Sequence, residues 1–519
     1  MSSSSRHALH DTLPGLVSQA FPGYSENAPL DLPPLTKRTE TQLRDLLLSR
    51  DFDAWSEALA RVGNCAHPIR LVGQSQKVDA TSGKVLSTYS SRQEPLGVTY
   101  VRCGNRRADQ CSSCSRLHAG DTYHLIHAGI AGGKTVPETV ADNPLVFATV
   151  TAPSFGPVHG RRDNTGRCQP HVAGPVRRQH GRPRTCQARH TEDDPALGQP
   201  LCGDCYDYGS HLMWQWWSTE LWKRLTIKLR RLVAQNLGVP ENRLAKVATV
   251  QYAKVAEYQL RGLVHFHALF RLDGPKTSDG FAPAPSAIDA AVMARLVRQA
   301  AATVRLTVPG VDADDRNRVL ALGQQLDARP VRFSRRTDDP ERALTPEQVS
   351  GYLAKYVTKS VTDSGNTDDP HHARIRAVAR GLHSRAISAK QPSEEGPYDL
   401  LGKWVHMLGF RGHFATKSRR YSITMRALRR ARRRAQALIA ESRASGRPLD
   451  LAALEADLLA DDEDETTLVI GEWTYAGNGW PSEAVRVLAN AAAARAREYD
   501  QWKAEHKARP TREKGNGDG

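Results

Sequence analysis

The sequence predicts an α+β fold built on one antiparallel sheet, and three observations support this prediction. Three segments have the β-branched and apolar composition of strands, a fourth is interpreted as a basic strand, and two have the periodicity of helices. They follow one another as strand, helix, strand, strand, helix, strand, which is the ferredoxin-like βαββαβ plan with helices on one face. The two middle strands are joined so tightly that they form a hairpin. The segments are 147–153, 211–237, 249–259, 263–272, 286–308 and 329–336.

Local features justify each element. The first strand stops at Pro153, because proline cannot donate to a strand ladder. The first helix has an apolar stripe at helical spacing and ends at Gly238. That stripe consists of Trp214, Trp217, Leu221, Leu225, Leu229 and Leu232. The second helix is rich in alanine and the last strand is basic.

The third strand carries a pair of histidines. Side chains alternate between the faces of a strand, so His265 and His267 point to one side while Val264 and Phe266 point to the other. Two imidazoles about 7 Å apart on one face can hold a divalent metal. The strand therefore predicts half of a metal site.

The hairpin loop decides whether a carboxylate joins these histidines. If the loop is residues 260–262, with its glycine in the left-handed conformation, Gln259 pairs with Leu263. Counting outward, Glu257 then lies opposite His265 and becomes a candidate third metal ligand. A loop of two or four residues would reverse the parity and remove it from this face.

A later helix begins with a capping box. Thr345 is its expected N-cap, Pro346 its first residue, and Gln348 completes the box. The candidate catalytic residues on this helix are Tyr352, Lys355, Tyr356 and Lys359. The two tyrosines are four residues apart, as are the two lysines, so each pair shares a helix face.

Charge indicates a nucleic-acid partner. The chain has 519 residues, a net charge of +16 and a pI of about 9.6. A chain of this length forms several domains, and so positive a balance suits a polyanion. Residues 416–434 include nine Lys or Arg residues. The predicted DNA-binding residues there are Arg419, Arg420, Arg429, Arg430, Arg432, Arg433 and Arg434.

Two further classes of protein are excluded by composition. No segment approaches the roughly 18 consecutive apolar residues of a membrane span. The first residues, four serines after Met1 followed by Arg6 and His7, lack the apolar core of a secretory signal. A cytoplasmic protein without a membrane partner is therefore expected.

Eight cysteines in a cytosolic chain indicate metal ligands rather than disulfides. Two Cys-x-x-Cys pairs have a spacing that lets both thiolates reach one Zn²⁺. The first predicted zinc site consists of Cys111, Cys114, Cys202 and Cys205. A second could contain Cys168, Cys186 and His190, with Cys103 as a further candidate. Cys65 is expected to be a small core residue with no partner.

These features divide the chain into four predicted regions. The N-terminal region 1–95 is expected to be partly disordered and then mixed α/β, and residues 96–146 form a zinc-binding segment. The catalytic domain spans 147–365 and contains a Cys-rich insertion at 160–206. The last region, 366–519, is basic and mostly helical and ends in a disordered tail.

Together, the histidine strand, the hairpin carboxylate and the tyrosine helix suit metal-assisted transesterification on DNA. A metal polarises the scissile phosphate, a tyrosine attacks phosphorus, and a 5′-phosphotyrosine and a free 3′-OH result. A nearby lysine favours the phenolate, whose free pKa is near 10. The second tyrosine allows a second transfer.

The chain resembles HUH-superfamily rolling-circle replication initiators. His265-Phe266-His267, Tyr352-x-x-Lys355-Tyr356-x-x-Lys359 and Phe147-Ala-Thr-Val-Thr151 match that superfamily's three motifs. The wider pattern is similar to initiators of actinomycete plasmids and integrative elements over roughly residues 95–480. The stretches that carry this likeness start at Cys103, Thr151, Leu201 and Gly409, and read CGNRR, TAPSFGPVH, LCGDCYDY and GFRGH.

The resemblance implies a bacterial enzyme that nicks one strand of a plasmid's double-strand origin, whether single-stranded or cruciform at the nick site. The 3′-OH would prime the host DNA polymerase, a host helicase would unwind, and a second cleavage would release the displaced circle. Mg²⁺ or Mn²⁺ would be the catalytic ion, held by His265 and His267. Some relatives have a carboxylate at the earlier tyrosine, so Tyr356 is expected to attack first and Tyr352 second.

Two alternatives remain open at this stage. A relaxase or transposase of the same superfamily shares the chemistry, although a relaxase usually has its tyrosine near the N-terminus and three metal-binding histidines. A non-catalytic, zinc-dependent DNA-binding regulator would explain the charge and the cysteines. It would leave the histidine pair and the tyrosine helix without a role.

Overall fold

The structure is a computed structural model. It describes residues 32–94, 96–161, 166–168, 186–278, 280–331, 345–357, 369–391, 393–448 and 467–507. The helices are α1 (Lys37–Leu47), α2 (Phe52–Arg61), α3 (Ser112–Ala131), α4 (Tyr208–Asn236), α5 (Ala290–Thr303), α6 (Pro346–Val357), α7 (Pro370–Ser388), α8 (Met425–Ser445) and α9 (Glu483–Lys507). The strands are β1 (Ile69–Asp79), β2 (Val85–Ser90), β3 (Thr99–Val101), β4 (Leu145–Val150), β5 (Thr249–Tyr258), β6 (Val264–Asp273), β7 (Lys276–Thr277), β8 (Gly280–Phe281), β9 (Arg305–Val308), β10 (Arg318–Ala321), β11 (Leu326–Pro330), β12 (Ala415–Lys417) and β13 (Thr467–Asn478).

The chain forms two compact units, Met1–Ala119 with Ala460–Gly519, and Gly120–Leu459. This division differs from the four predicted regions: the segment 96–146 is shared between the units, and the end of the chain joins its beginning. The physical reason is the pairing of β13 with β1 along the whole of both strands. Patterns read along the chain favour neighbours in sequence and do not reveal so distant a pair.

The first unit is a small α+β body. Its sheet has the order β13-β1-β2, and β3 also pairs with β1. The core lies between α1, α2 and α9 and includes Leu43, Trp55, Leu59 and Leu488, each at most 3% exposed. Two helices, α1 and α2, precede this sheet along the chain, and α9 follows it.

The second unit holds a five-stranded antiparallel sheet of order β11-β4-β6-β5-β12. Its elements β4, α4, β5, β6, α5 and β11 follow the predicted βαββαβ order. Three details differ from prediction. The last strand, expected over 329–336, is β11 at Leu326–Pro330. The helix expected over 286–308 ends at Thr303, because β9 pairs with β10 in a hairpin. In addition, β12 from the C-terminal region forms an edge strand beside β5.

The two faces of this sheet are covered differently. On one face Val146, Ala148, Phe266 and Phe270 pack under α4 and α5 in the largest apolar core. On the other face Leu145, Phe147, Val255 and Leu269 contact residues of α3 and α6. The alternation of side chains along each strand therefore places the odd-numbered residues of β6 on the face that α3 and α6 cover.

Some predictions fall outside the described residues. These are the disordered N-terminus and tail, the basic residues 332–336 that follow β11, and Lys359.

Candidate active site

The β5–β6 hairpin has the predicted three-residue loop. Gln259 donates its backbone N–H to the Leu263 carbonyl at 2.8 Å, and Gly262 has φ +78°. A Cβ on Gly262 would lie 3.0 Å from Ile375 Cδ1, so both conformation and space favour glycine here. Glu257 consequently pairs with His265, as predicted.

Glu257, His265 and His267 form one compact group, called the donor group below. The Oε2 atom of Glu257 lies 2.9 Å from His265 Nε2 and 3.0 Å from His267 Nε2. One ligand atom from each residue lies within 4.8 Å of the other two. The His267 side chain is 2% exposed and that of His265 is 16% exposed, so the group opens to solvent on the His265 side.

Thr149 fixes the ring of His267 and was not among the residues predicted from sequence. It pairs directly with His267 across β4 and β6, and its Oγ1 lies 3.1 Å from His267 Nδ1. A partner on Nδ1 leaves Nε2 directed toward Glu257 and orients the ring for metal binding. Phe147 stacks on the same ring, with centroids 6.0 Å apart. The available sequence clue to Thr149 was its place two residues after Phe147, inside the stretch 147–151 that matches a superfamily motif.

The tyrosine helix α6 begins as predicted. Thr345 N–H donates to Gln348 Oε1 at 3.1 Å, and Gln348 N–H donates to Thr345 Oγ1 at 3.3 Å. Leu353 and Val357 anchor the helix, because both are completely buried against the sheet face that carries the histidines. The two tyrosines lie on the side of the helix that meets His267.

Both tyrosines contact the donor group. The Tyr352 hydroxyl lies 3.4 Å from His267 Nε2, and the ring centroids of these residues are 5.0 Å apart. The Tyr356 ring lies 5.4 Å from that of His267 and 4.4 Å from that of Tyr352. Lys355 Nζ lies 5.9 Å from the Tyr356 ring centroid. The two tyrosines and the donor group thus lie on the same face of the sheet.

Burial raises the pKa of Tyr352, and the neighbouring Tyr356 hydroxyl and the negative charge of Glu257 raise it further. In the absence of a cation, all three effects favour the neutral phenol. A positive charge near the donor group would act in the opposite direction.

The cysteines do not form the predicted zinc groups. Cys65, Cys103, Cys111 and Cys114 come together and are called the sulfur group below. His159, Cys168, Cys186 and His190 form the mixed group. Cys202 and Cys205 belong to neither, so the predicted first site is wrong, and Cys65 is a member of a group rather than an isolated core residue. Cys103 belongs with Cys111 and Cys114 rather than with the predicted second site.

The errors have a physical origin. Two Cys-x-x-Cys pairs look equivalent in sequence, but the fold puts Cys205 on the surface and Cys111 in a core beside Cys65. Cys65 and His159 have no spacing motif, so nothing local marks them as partners. The likeness of the stretch ending at His159 to related initiators was the only sequence clue to that residue.

The basic segment is divided between two environments. Arg419 and Arg420 are exposed and line a cavity of about 340 Å³ together with Arg230. On α8, Arg429 and Arg433 are exposed and Arg434 is half-buried. Two of the predicted DNA-binding arginines also have partners within the fold or are buried in it, since Arg430 is 9% exposed and Arg432 pairs with the buried Asp121. The DNA-binding role of these arginines stays a prediction.

Fold and site thus define an α+β protein with a candidate metal centre beside paired tyrosines. The model of a family described as replication initiator protein, pSAM2 (RepSA), matches residues 51–494. A replication initiator protein from Streptomyces ambofaciens is 40% identical over 464 residues, which is 87% of this chain and 93% of the relative. The chain belongs to this family of plasmid replication initiators. As a replication initiator, it binds origin DNA.

No solved structure matches the chain significantly. Among the helices in the described part of the chain, none is long and apolar enough to cross a membrane.

Proposed function

We propose that the chain starts rolling-circle replication as an HUH-type endonuclease that cuts one strand of the double-strand origin. The observation that carries the proposal is the contact of Tyr352 and Tyr356 with His267, inside the group completed by Glu257 and His265. A nucleophile and a set of metal ligands in contact are what tyrosine-mediated cleavage of a phosphodiester requires.

The donor group fits a divalent cation. Its carboxylate oxygen and two imidazole nitrogens converge, and carboxylate suits Mg²⁺ and Mn²⁺ while imidazole tolerates Mn²⁺ better than Mg²⁺. When bound by Glu257, His265 and His267, such an ion supplies positive charge that polarises the scissile phosphate and offsets its developing charge.

The protein's own residues account for the transfer. The phenolate oxygen of one tyrosine attacks phosphorus, and the bond from phosphorus to the 3′ oxygen breaks. The leaving 3′ oxygen takes up a proton and becomes the free 3′-OH, while the 5′ phosphate stays on the tyrosine as a phosphodiester. This bond conserves the energy of the cut, so attack by a 3′-OH can reverse it and join strands.

The two tyrosines divide the two cleavages of one replication cycle between them. We assign the first attack to Tyr356, because Lys355 lies beside its ring, where its positive charge can hold the scissile phosphate. Tyr352 then makes the second cut, which releases the displaced circle. The 3′-OH from the first cut is a primer for the host polymerase, and a host helicase separates the strands.

The proposal is tested with a labelled single-stranded oligonucleotide that spans the origin of the element carrying this gene. With Mn²⁺ and wild-type protein, a denaturing gel shows a covalent protein–DNA adduct, which EDTA prevents. Tyr356→Phe loses the adduct, whereas Tyr352→Phe keeps the first cleavage and loses the second. Tyr475→Phe, at a surface tyrosine of β13, leaves both unchanged.

Two results would overturn the proposal or part of it. Absence of an adduct with well-folded wild-type protein contradicts nicking by tyrosine. An adduct that forms with Tyr356→Phe and not with Tyr352→Phe reverses the order of attack.

A further inference from the structure

We propose that the chain also carries two structural zinc ions, one on the sulfur group and one on the mixed group. This proposal is independent of the nicking reaction, because neither group includes a residue of the donor group or a tyrosine of α6. Its basis is the distance between ligand atoms, the hydrogen bonds that hold them and the chain segments they connect.

The sulfur group has the dimensions of a single tetrahedral ion. Cys65 Sγ lies 3.8 Å from Cys111 Sγ and 3.6 Å from Cys114 Sγ. A tetrahedral Zn²⁺ with bonds of about 2.3 Å separates its sulfurs by roughly 3.8 Å. A disulfide would bring two sulfurs to about 2.05 Å. The spacing therefore fits zinc and excludes a disulfide arrangement.

The surroundings of the sulfur group favour thiolates. The backbone N–H groups of Cys103 and Asn105 point at Cys65 Sγ and Cys103 Sγ, each at 3.4 Å. Such N–H donors stabilise ligating sulfur. Cys65, Cys111 and Cys114 are each at most 3% exposed. A closed, all-sulfur, buried site of this kind is structural rather than catalytic.

This first ion would join segments that the chain separates. Cys65 follows α2, Cys103 follows β3, and Cys111 and Cys114 stand at the start of α3. Cys65, Cys111 and Cys114 lie in the core of the first unit with Trp55 and Trp480, and the partly buried Cys103 packs against that core. Zinc there would stabilise the unit by fixing a loop, a strand end and a helix N-terminus to one point.

The mixed group has matching dimensions. His159 Nδ1 lies 3.2 Å from His190 Nε2 and 3.7 Å from Cys168 Sγ, and Cys186 Sγ lies 3.8 Å from His190 Nε2. For Zn–N bonds of about 2.0–2.1 Å and Zn–S bonds of about 2.3 Å, a tetrahedron gives roughly 3.3–3.6 Å for these pairs. The four donors form a Cys₂His₂ set.

Hydrogen bonds to groups behind the ligand atoms orient the residues of the mixed group. His190 Nδ1 lies 2.7 Å from Asp194 Oδ2, which leaves Nε2 for the ion, as in the carboxylate–histidine–zinc arrangement. Ala188 N–H points at Cys186 Sγ at 3.4 Å. Cys168 N–H donates to the Ala188 carbonyl at 3.0 Å, so backbone pairing brings the two halves together.

This second ion would shape the wall of a cavity of about 670 Å³. His159 and Arg161 line one side, and Gln259 and Arg261 at the tip of the β5–β6 hairpin line another. Arg261 is itself held by the carbonyls of Pro153 and Ala152 at 2.9 and 3.0 Å. Loss of this ion is therefore expected to disturb the end of the sheet that carries the donor group's hairpin.

Metal content of untagged, purified protein tests the proposal. Elemental analysis of wild type should give about two zinc per chain. Cys65→Ser and His159→Asn should each give about one. The matched control is Cys202→Ser with Cys205→Ser, which removes a Cys-x-x-Cys pair outside both groups and should keep two. Zinc content does not depend on nicking, so this result stands or fails separately from the proposed activity.

A measurement on wild type avoids variants that fail to fold. X-ray absorption at the zinc edge should report, on average, three sulfur and one nitrogen neighbours per ion, since one site offers four sulfurs and the other two sulfurs and two nitrogens. Fewer than one zinc per chain, iron in place of zinc, or full zinc retention in both single variants would overturn the proposal. A zinc shell dominated by oxygen and nitrogen would do so as well.

Discussion

On one face of the five-stranded sheet Phe266 and Phe270 pack against Trp222, and on the other His265 and His267 meet a carboxylate and two tyrosines. These residues alternate along one strand, β6. The first face is buried under α4 and α5, while the second is covered by α3 and α6 and leaves the His265 side chain 16% exposed. Because side chains alternate along β6, its residues on one face contribute to the stability of the core, and its residues on the other face belong to the candidate active site. Substitutions on opposite faces should therefore have separable effects.

The largest expected effect is on the tyrosine face. Glu257→Gln keeps the shape of the side chain and removes the negative charge that faces both histidines. The rate of adduct formation should fall on the order of 10³-fold, because several kcal/mol of metal-dependent stabilisation is lost. Gel assays over a range of Mn²⁺ concentrations measure this rate.

Glu220→Gln is the control for that change, since Glu220 pairs with Lys223 and Arg224 on the surface of α4. It should leave the rate unchanged. If the Glu257→Gln protein formed the adduct at the wild-type rate, the proposed role of the Glu257 carboxylate as a metal ligand would be contradicted.

The next effect belongs to the opposite face. Phe266→Ala leaves a cavity beside Trp222 and Phe410 at a position that is completely buried. The free energy of unfolding should fall by about 3–5 kcal/mol. Denaturant titration measures the loss. Adduct formation per folded molecule should be retained, and its disappearance in well-folded protein would show that the two faces are coupled.

A smaller effect is expected at the residue that orients His267. Thr149→Val removes the hydroxyl and keeps the branched shape on β4. Affinity for Mn²⁺ should fall by about 10–100-fold, the usual cost of losing a partner behind a ligating histidine. Calorimetric titration gives the affinity. Thr149→Ser, which restores a hydroxyl, should recover most of it, and equal losses in both variants would indicate a packing role instead.

The smallest effect concerns a buried lysine on the sheet face that α4 and α5 cover. Lys254 is 3% exposed, with Nζ 4.4 Å from the Phe266 ring centroid. Burial lowers its pKa from 10.5 to about 8. The unfolded chain therefore binds the proton more tightly, and the charged lysine costs stability at every pH below 8. Lys254→Met should raise the free energy of unfolding by about 1–2 kcal/mol at pH 7, after the lost cation–π contact is subtracted.

The gain from Lys254→Met should shrink between pH 8 and 10.5, as the unfolded chain also loses its proton. Thermal unfolding of both proteins across this range measures it. A destabilised variant at pH 7, or a gain that grows with pH, would contradict the assigned cause.

The donor group could be predicted because its geometry is local. The left-handed Gly262 sets the hairpin register, and register alone puts Glu257 opposite His265. The capping box at Thr345 likewise fixes where α6 begins. These elements depend on residues a few positions apart, where turn and cap chemistry decide the conformation.

The cysteine groups and the sheet edges could not be predicted in the same way. Cys65 meets Cys111 and Cys114 across separations of 46 and 49 residues, and β13 pairs with β1 from the other end of the chain. Packing and pairing over such separations depend on the whole fold. The same applies to the burial of Arg430 and to the pairing of Arg432 with Asp121, which a run of basic residues does not reveal.

The central claim is that a tyrosine of α6 becomes joined to DNA next to the donor group. Digestion of the adduct formed with Mn²⁺, followed by mass spectrometry, identifies the modified residue directly. We expect a nucleotide phosphate on the peptide that contains Tyr352 and Tyr356. Tyr356 should carry this phosphate in the first cleavage. An adduct on a tyrosine elsewhere in the chain, or cleavage of the oligonucleotide without any modified tyrosine, would contradict it.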